Sequence, residues 1–287
     1  MQIIKHILFP TDFSDNAQNA FRYCLWLADQ WGARIRLLHV VYPSYDALDL
    51  PVAAAKATEE KVEAARLVLQ SFVDLGLTQV QTAYTFQHTP DIRADVEVGS
   101  PIGVIAQVAR RDEADLIVMG TRSSHNLLEH ILGSVTTGVM EKAPCHVWVV
   151  PEEATFGMVD IVAYGADLTT ADPYYIWKIG QVLESFGAVL HCVHARVGVE
   201  DEHEINLNEL EEFFEQHAPT LQIRFHRYPG KSVTEALDSF SEEYGVDLLV
   251  MYAPHHSVLD RLLRPGFTKQ VALSSKVPLW VLKDMPE

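Results

Sequence analysis

The chain has 287 residues, of which 48% are apolar and 21% charged, and its mean hydropathy is close to zero. That balance buries a core and excludes a disordered or collagen-like chain, and the length suits two ordinary domains. Lys plus Arg number 22 against 39 Asp plus Glu, a formal net charge of −17 that repels polyanions and makes nucleic acid an unexpected partner. The charge is uneven: 12 basic and 17 acidic residues run up to Val150, then 10 and 22 from Pro151 onward, so the halves carry −5 and −12. Cys24, Cys145 and Cys192 are far apart and never form a CxxC, which excludes a disulfide framework or a cysteine zinc site and implies a reducing compartment. The opening MQIIKHILFPTDFSD has too short an apolar stretch for a signal sequence, and no run approaches the roughly 18 apolar residues of a membrane span. A cytoplasmic location is expected.

Taken in chain order, short β-rich runs alternate with longer helical patterns. A strand over Ile4–Phe9 leads to a helix over Asp15–Trp31 with Ser14 as N-cap, then to a strand over Ile35–Val41. Ala17, Ala20, Phe21, Cys24, Leu25 and Ala28 mark the apolar face of that helix, and Gly32 its stop. A helix over about Ala53–Leu75 follows, then a strand ending near Val98, a helix opening at Pro101, a strand over Leu116–Met119, a helix after Gly133, and a strand over Val147–Val150. The last two strands are continuously apolar, as expected where helices cover both sheet faces, which predicts a doubly wound parallel α/β fold. Val80–Asp95 is longer than a simple connection, and whether it holds an extra strand is open.

The sequence also repeats itself. Residues 6–41 match 161–196 at an offset of 155, pairing Asp12 with Asp167 and His39 with His194; later segments match at 132, pairing Asp115 with Asp247, Thr136 with Thr268 and Trp148 with Trp280. The second copy therefore lacks 23 residues between His39 and Asp115, most readily around the second helix and third strand. A repeat this long is a duplicated domain, giving domains over 1–150 and 160–287 joined by a linker over 151–159.

Ligands in such sheets sit beyond the carboxyl ends of the strands, where helix N-termini present unpaired N–H groups. In the first domain that place reads Met119-Gly120-Thr121-Arg122-Ser123, and nine residues later Gly133-Ser134-Val135-Thr136. Gly120 admits close backbone approach, Gly133 and Ser134 open a helix N-terminus, the Ser123, Ser134 and Thr136 hydroxyls can donate, and Arg122 adds charge. A plain turn with an N-cap explains the same residues. This G-x-x-S-x9-G-S loop, together with PTDFS at 10–14, Leu38-His39-Val40-Val41, Ala114 to Gly120 and Pro144-Cys145, resembles the universal stress protein family over essentially the whole chain. The resemblance implies two fused domains with Rossmann-like sheets of five parallel strands, similar to adenine-nucleotide alpha hydrolases, holding ATP with Mg²⁺ carried on its phosphates. It places Asp12 and Val41 at the adenine end, Thr11, Met119 and Gly120 by the adenosine, and Arg122, Ser123, Gly133, Ser134, Val135 and Thr136 around the phosphates. It also implies packing through fifth strands, here as an internal pseudo-dimer, with a homodimer of chains. Ser123 departs from the family's usual glycine.

The second copy departs further, with Tyr252 on Gly120, His255 on Ser123, Pro265 on Gly133, Gly266 on Ser134 and Phe267 on Val135. Proline lacks an N–H and the aromatic rings add bulk, so a degenerate site is expected, with Arg261 and Arg264 as its remaining cations. Gly230-Lys231-Ser232 fails as a Walker loop because Phe225 stands where the motif needs glycine, and reads as a strand-to-helix turn. His191, His194, His255 and His256 invite a metal reading, but His194 pairs with His39 and reads as framework. The acidic stretch 200–215 carries Leu207, Leu210, Phe213 and Phe214 at helical spacing and reads as the second helix of the second copy. The expected function is an ATP-binding stress-response regulator with nucleotide in the first domain. The alternatives are a nucleotide-independent interaction module and a slow ATP hydrolase, in which His125 or Arg122 would assist attack on the phosphate.

Overall fold

The computed structural model describes residues 4–44, 51–121, 133–198, 206–252 and 277–284. Contacts divide it into two compact units, the first taking Ile4–His125 and Leu132–Gly157, the second Met158–Lys283.

In the first unit β1 (His6–Thr11) leads to α1 (Asp15–Trp31), β2 (Arg34–Val41), α2 (Pro51–Gln81), β3 (Ile92–Val98), α3 (Pro101–Arg111), β4 (Leu116–Gly120), α4 (Ser134–Lys142) and β5 (His146–Val150). The sheet order is β3-β2-β1-β4-β5 and every neighbouring pair is parallel, a Rossmann-like arrangement. Local chemistry fixes the ends of α1. Ser14 accepts a hydrogen bond from the Ala17 N–H, and Gly32 closes the helix in the left-handed region at φ 62°. Pro101 opens α3 as a first-turn proline. Leu116, Ile117, Val118, Val147 and Trp148 are buried, consistent with strands covered on both faces. The long segment before β3 holds no extra strand: α2 runs on to Gln81, and the chain then wraps onto Asp29, whose carboxylate accepts from the Tyr84 hydroxyl and from the Gln87 and His88 N–H groups.

The second unit repeats the order with β6 (Ile161–Gly165), α5 (Asp172–Leu183) ending in a single 3-10 turn over Glu184–Phe186, β7 (Val189–Arg196), α6 (Leu207–His217), β8 (Ile223–Pro229), α7 (Val233–Tyr244), β9 (Leu248–Tyr252) and β10 (Leu279–Leu282). Its strands run β10-β9-β6-β7-β8, all parallel. The shortening falls in the second helix, 31 residues in α2 against 11 in α6. Within α6, Leu207, Leu210 and Phe214 are buried, whereas Phe213 points outward at 46% exposure. Gly230-Lys231-Ser232 is the β8–α7 turn, where Ser232 caps α7 by accepting from the Glu235 N–H. His194 keeps the framework bond of its repeat partner: His39 donates from Nδ1 to the Thr11 carbonyl at 2.8 Å and His194 to the Ala166 carbonyl at 3.0 Å. All three cysteines are buried and free, and among the described residues no helix is long and apolar enough to cross a membrane.

Candidate functional site

In the first unit strand order reverses at β1, with β2 and β3 on one side and β4 and β5 on the other. Helices flanking such a reversal diverge and leave a crevice at the carboxyl ends of the strands. A cavity of about 330 Å³ lies there, bounded by the ends of β1, β2 and β4 and by the N-termini of α1, α3 and α4. That volume falls within the size range of small-molecule sites.

Of the residues that the sequence singles out, Thr11, Asp12, Met119, Gly120, Gly133, Ser134, Val135 and Thr136 line this cavity. Residues distant in sequence meet there because β1 and β4 pair directly, Ile7 with Leu116 and Leu8 with Ile117. Val41 is buried and not part of the lining, and its carbonyl accepts from the Gly99 N–H. Arg122, Ser123 and His125 lie outside the described residues. Leu38, His39, Val40 and Thr121, which lie within the quoted motifs, also line the wall, whereas Tyr42 and Ile105 line it with no sequence signal of their own.

Each contributor is held by local chemistry. Asp12 Oδ1 accepts from the Ser14 N–H at 3.1 Å and the Ser14 hydroxyl at 2.6 Å, and Thr11 Oγ1 accepts from the Phe13 N–H. This tight turn puts Phe13 at φ 64°, where its ring stacks on His39 with centroids 4.2 Å apart. Gly120 is pressed against α1: a Cβ there would stand 3.0 Å from the Asn16 carbonyl oxygen. Thr121 accepts from Asn16 Nδ2 on its hydroxyl. At α4 the cap is Gly133 at φ −60°, with no side-chain cap bond, and the first helical bond runs from the Thr137 N–H to the Gly133 carbonyl. The N–H groups before it have no intrahelical acceptor and sit at the positive end of the helix dipole, while the Thr136 hydroxyl is turned to the Gly120 carbonyl at 3.3 Å. Asp12 is the one carboxylate among the described lining residues. The arrangement offers hydroxyls, helix N–H groups and a shallow apolar wall to an anion carrying a planar or apolar part.

The second unit is built differently at the matching place. Tyr252, at the Gly120 position, stacks on Tyr175 with ring centroids 3.8 Å apart and planes at 27°. Tyr175 stands where the first unit has Ala20, and Asp172 where it has the cavity-lining Ala17. α5 opens at Asp172, two residues later than α1 in the repeat, so its N-terminus is withdrawn. Asp172 is 1% exposed; it accepts from the Thr169 N–H and from the Tyr164 hydroxyl, burial pushes its carboxyl up, and burial beside it raises the Tyr164 phenol. His255, His256, Arg261, Arg264, Pro265, Gly266 and Phe267 lie outside the described residues. Among those described, no group of three or more potential metal ligands gathers in either unit.

The model of the universal stress protein family matches residues 4–151. A Staphylococcus aureus relative described as a universal stress protein is 29% identical over 154 residues, covering 52% of this chain and 85% of its own. Among solved structures, a universal stress protein from Archaeoglobus fulgidus superposes with a TM-score of 0.70 at 22% identity, over 98% of this chain and 96% of that one. A Pseudomonas aeruginosa chain, also described as a universal stress protein, does so with a TM-score of 0.58 at 14% identity, over 98% and 93%. These two likenesses establish the fold.

Proposed function

This chain belongs to the universal stress protein family, and we propose that it is a cytoplasmic stress-response regulator whose first unit binds ATP while its second unit is a degenerate copy without that site. The observation that carries this reading is the contrast between the two matching places. One is a cavity at the strand reversal with small residues and an uncapped helix N-terminus; the other carries the Tyr175–Tyr252 stack and a buried carboxylate. Gly133, Ser134, Val135 and Thr136, with Arg122 and Ser123, would hold the phosphates, and Thr11, Asp12, Met119 and Gly120 the adenosine, with Val41 packed behind the wall and out of contact. Mg²⁺ would arrive with the triphosphate, since Asp12 alone makes no dedicated cation site. Regulation requires that ATP bind two conformations unequally, for only differential affinity shifts an equilibrium. Pairing of chains as a homodimer and fusion of two family domains in one chain belong to the same reading, the first tested by sedimentation and the second by expressing 160–287 alone.

The test is calorimetric titration of ATP with Mg²⁺ into the nucleotide-stripped full chain beside Gly133→Pro. The cap's φ of −60° already suits proline, so the change removes one N–H and adds a ring at a compatible backbone angle. The expected outcome is saturable binding weakened by about tenfold or more, with an unchanged melting temperature. No saturable heat in the parent chain, confirmed by a second binding assay, leaves the nucleotide-independent interaction module.

A further inference from the structure

At the opposite end of the first unit's sheet, where the strands begin, β1, β2, β3 and the turn after α3 enclose a second cavity of about 220 Å³. Its wall carries Arg34, Arg36 and Arg93 together with His6 and Asp112. Register explains the grouping: Leu8, Arg36 and Arg93 are side-by-side partners across β1, β2 and β3, and Arg34 lies two residues before Arg36 on the same face of β2.

The three guanidinium groups are not equally satisfied. Arg36 pairs with Asp95 at 3.1 Å and with Asp112, yet its Nε–H is buried and has no acceptor among the described residues. Arg34 reaches the His6 ring, which accepts a hydrogen bond without neutralising the cation. Arg93 makes no hydrogen bond or ion pair within the described residues. Asp112 is shared in addition with Arg111 Nε at 3.2 Å, so the two carboxylates beside the cavity are already engaged. On a chain of net charge −17, three arginines lining one cavity against the two carboxylates of Asp95 and Asp112 leave a local surplus of positive charge. Guanidinium forks match tetrahedral oxyanions in geometry. The volume is several times the roughly 30 Å³ share of a water molecule and smaller than the cleft at the other end of the sheet.

We infer that this cavity is a binding site for a small divalent oxyanion, phosphate or the phosphoryl group of a compact phosphate ester, held by the guanidinium groups of Arg34, Arg36 and Arg93. The site is separate from the cleft at the carboxyl ends of the strands and stands whether or not that cleft takes ATP.

The test follows the arginine Nε–H resonances of the ¹⁵N-labelled full chain during titration with inorganic phosphate, and separately with glycerol phosphate, at an ionic strength of about 20 mM, low enough to limit screening. The Arg36 signal is assigned by its loss in Arg36→Lys. The expected result is a saturable shift of Arg36, retained in Gly133→Pro and weakened by about tenfold or more in Arg93→Gln and in Arg34→Gln. Both variants change exposed side chains on different strands, and thermal melting verifies that each keeps the fold. Equal affinity for the two ligands assigns the site to the free ion, and tighter glycerol phosphate assigns it to an ester. The inference is overturned if Arg36 does not shift, if its shift survives in the folded Gln variants, or if exposed Arg66 and Arg110 move in parallel with it, the signature of ionic screening alone.

Discussion

Gly120 shows how one residue answers to two demands. The loop sequence marks it as a place for close approach of a ligand, but in the structure its missing Cβ first serves the fold, because the Asn16 carbonyl would lie 3.0 Å from that atom. Gly120→Ala therefore forces α1 to give ground and is expected to cost about 1–3 kcal/mol in urea unfolding even with no nucleotide present. A variant as stable as the parent would show that α1 moves freely there. Thr136 has a related double role: its hydroxyl bonds the Gly120 carbonyl from a buried position, and Thr136→Val should lose about 1 kcal/mol by the same measurement. Asp172 and Tyr175 of the second unit are readable as large-for-small replacements of Ala17 and Ala20 at the repeat offset, a signal that lies on a helix face and not in the loop. Phe13 and Leu168, both at positive φ and 155 residues apart, gave no signal at all, since neither is a residue type that favours the left-handed region.

Elements were legible where two signals coincided. α1 was bounded by a cap and a glycine and comes out over Asp15–Trp31, and the apolar strands fell where expected, while Gly76, just past the expected end of α2, lies inside the helix close against the Phe21 ring and the helix continues to Gln81. The segment between α2 and β3 takes its course from Asp29, through a contact across more than fifty residues that periodicity does not contain. α1 also anchors the start of the linker: Asn19 Nδ2 donates toward the Pro151, Glu152 and Ala154 carbonyls at 3.2, 3.0 and 2.9 Å. Asn19→Ala strands these acceptors and should raise amide exchange at 152–156 selectively; unchanged exchange would mean the segment is held by other contacts. In the outer strands the units part company. Where the first has the Arg36–Asp95 ion pair, the second stacks His191 on His226, centroids 4.9 Å apart and planes at 2°, among Phe240, Tyr244 and Arg224. Burial, with His226 and Arg224 adding to it, lowers His191 from 6.5 to about 4. The unfolded chain then binds the extra proton first, so stability is full above pH 6.5 and falls as pH drops toward 4. Thermal melts should show this slope reduced in His191→Phe, and an identical slope would place the acid sensitivity elsewhere.

For the whole molecule, the repeat made the architecture visible twice in one chain, and each unit rebuilds the same parallel strand order. The two units differ at the matching place: in the second, α5 is withdrawn and a tyrosine stands at the Gly120 position, and that half carries the larger share of the acidic excess, −12 against −5. On the proposed reading, shape and field both disfavour an anionic ligand there. The measurement that tests this asymmetry most directly is the stoichiometry of ATP with Mg²⁺ on the nucleotide-stripped full chain, by calorimetry and native mass spectrometry together. One nucleotide per chain, lost in Gly133→Pro, is the predicted result; two per chain, or a single nucleotide that survives Gly133→Pro at full affinity, would contradict it.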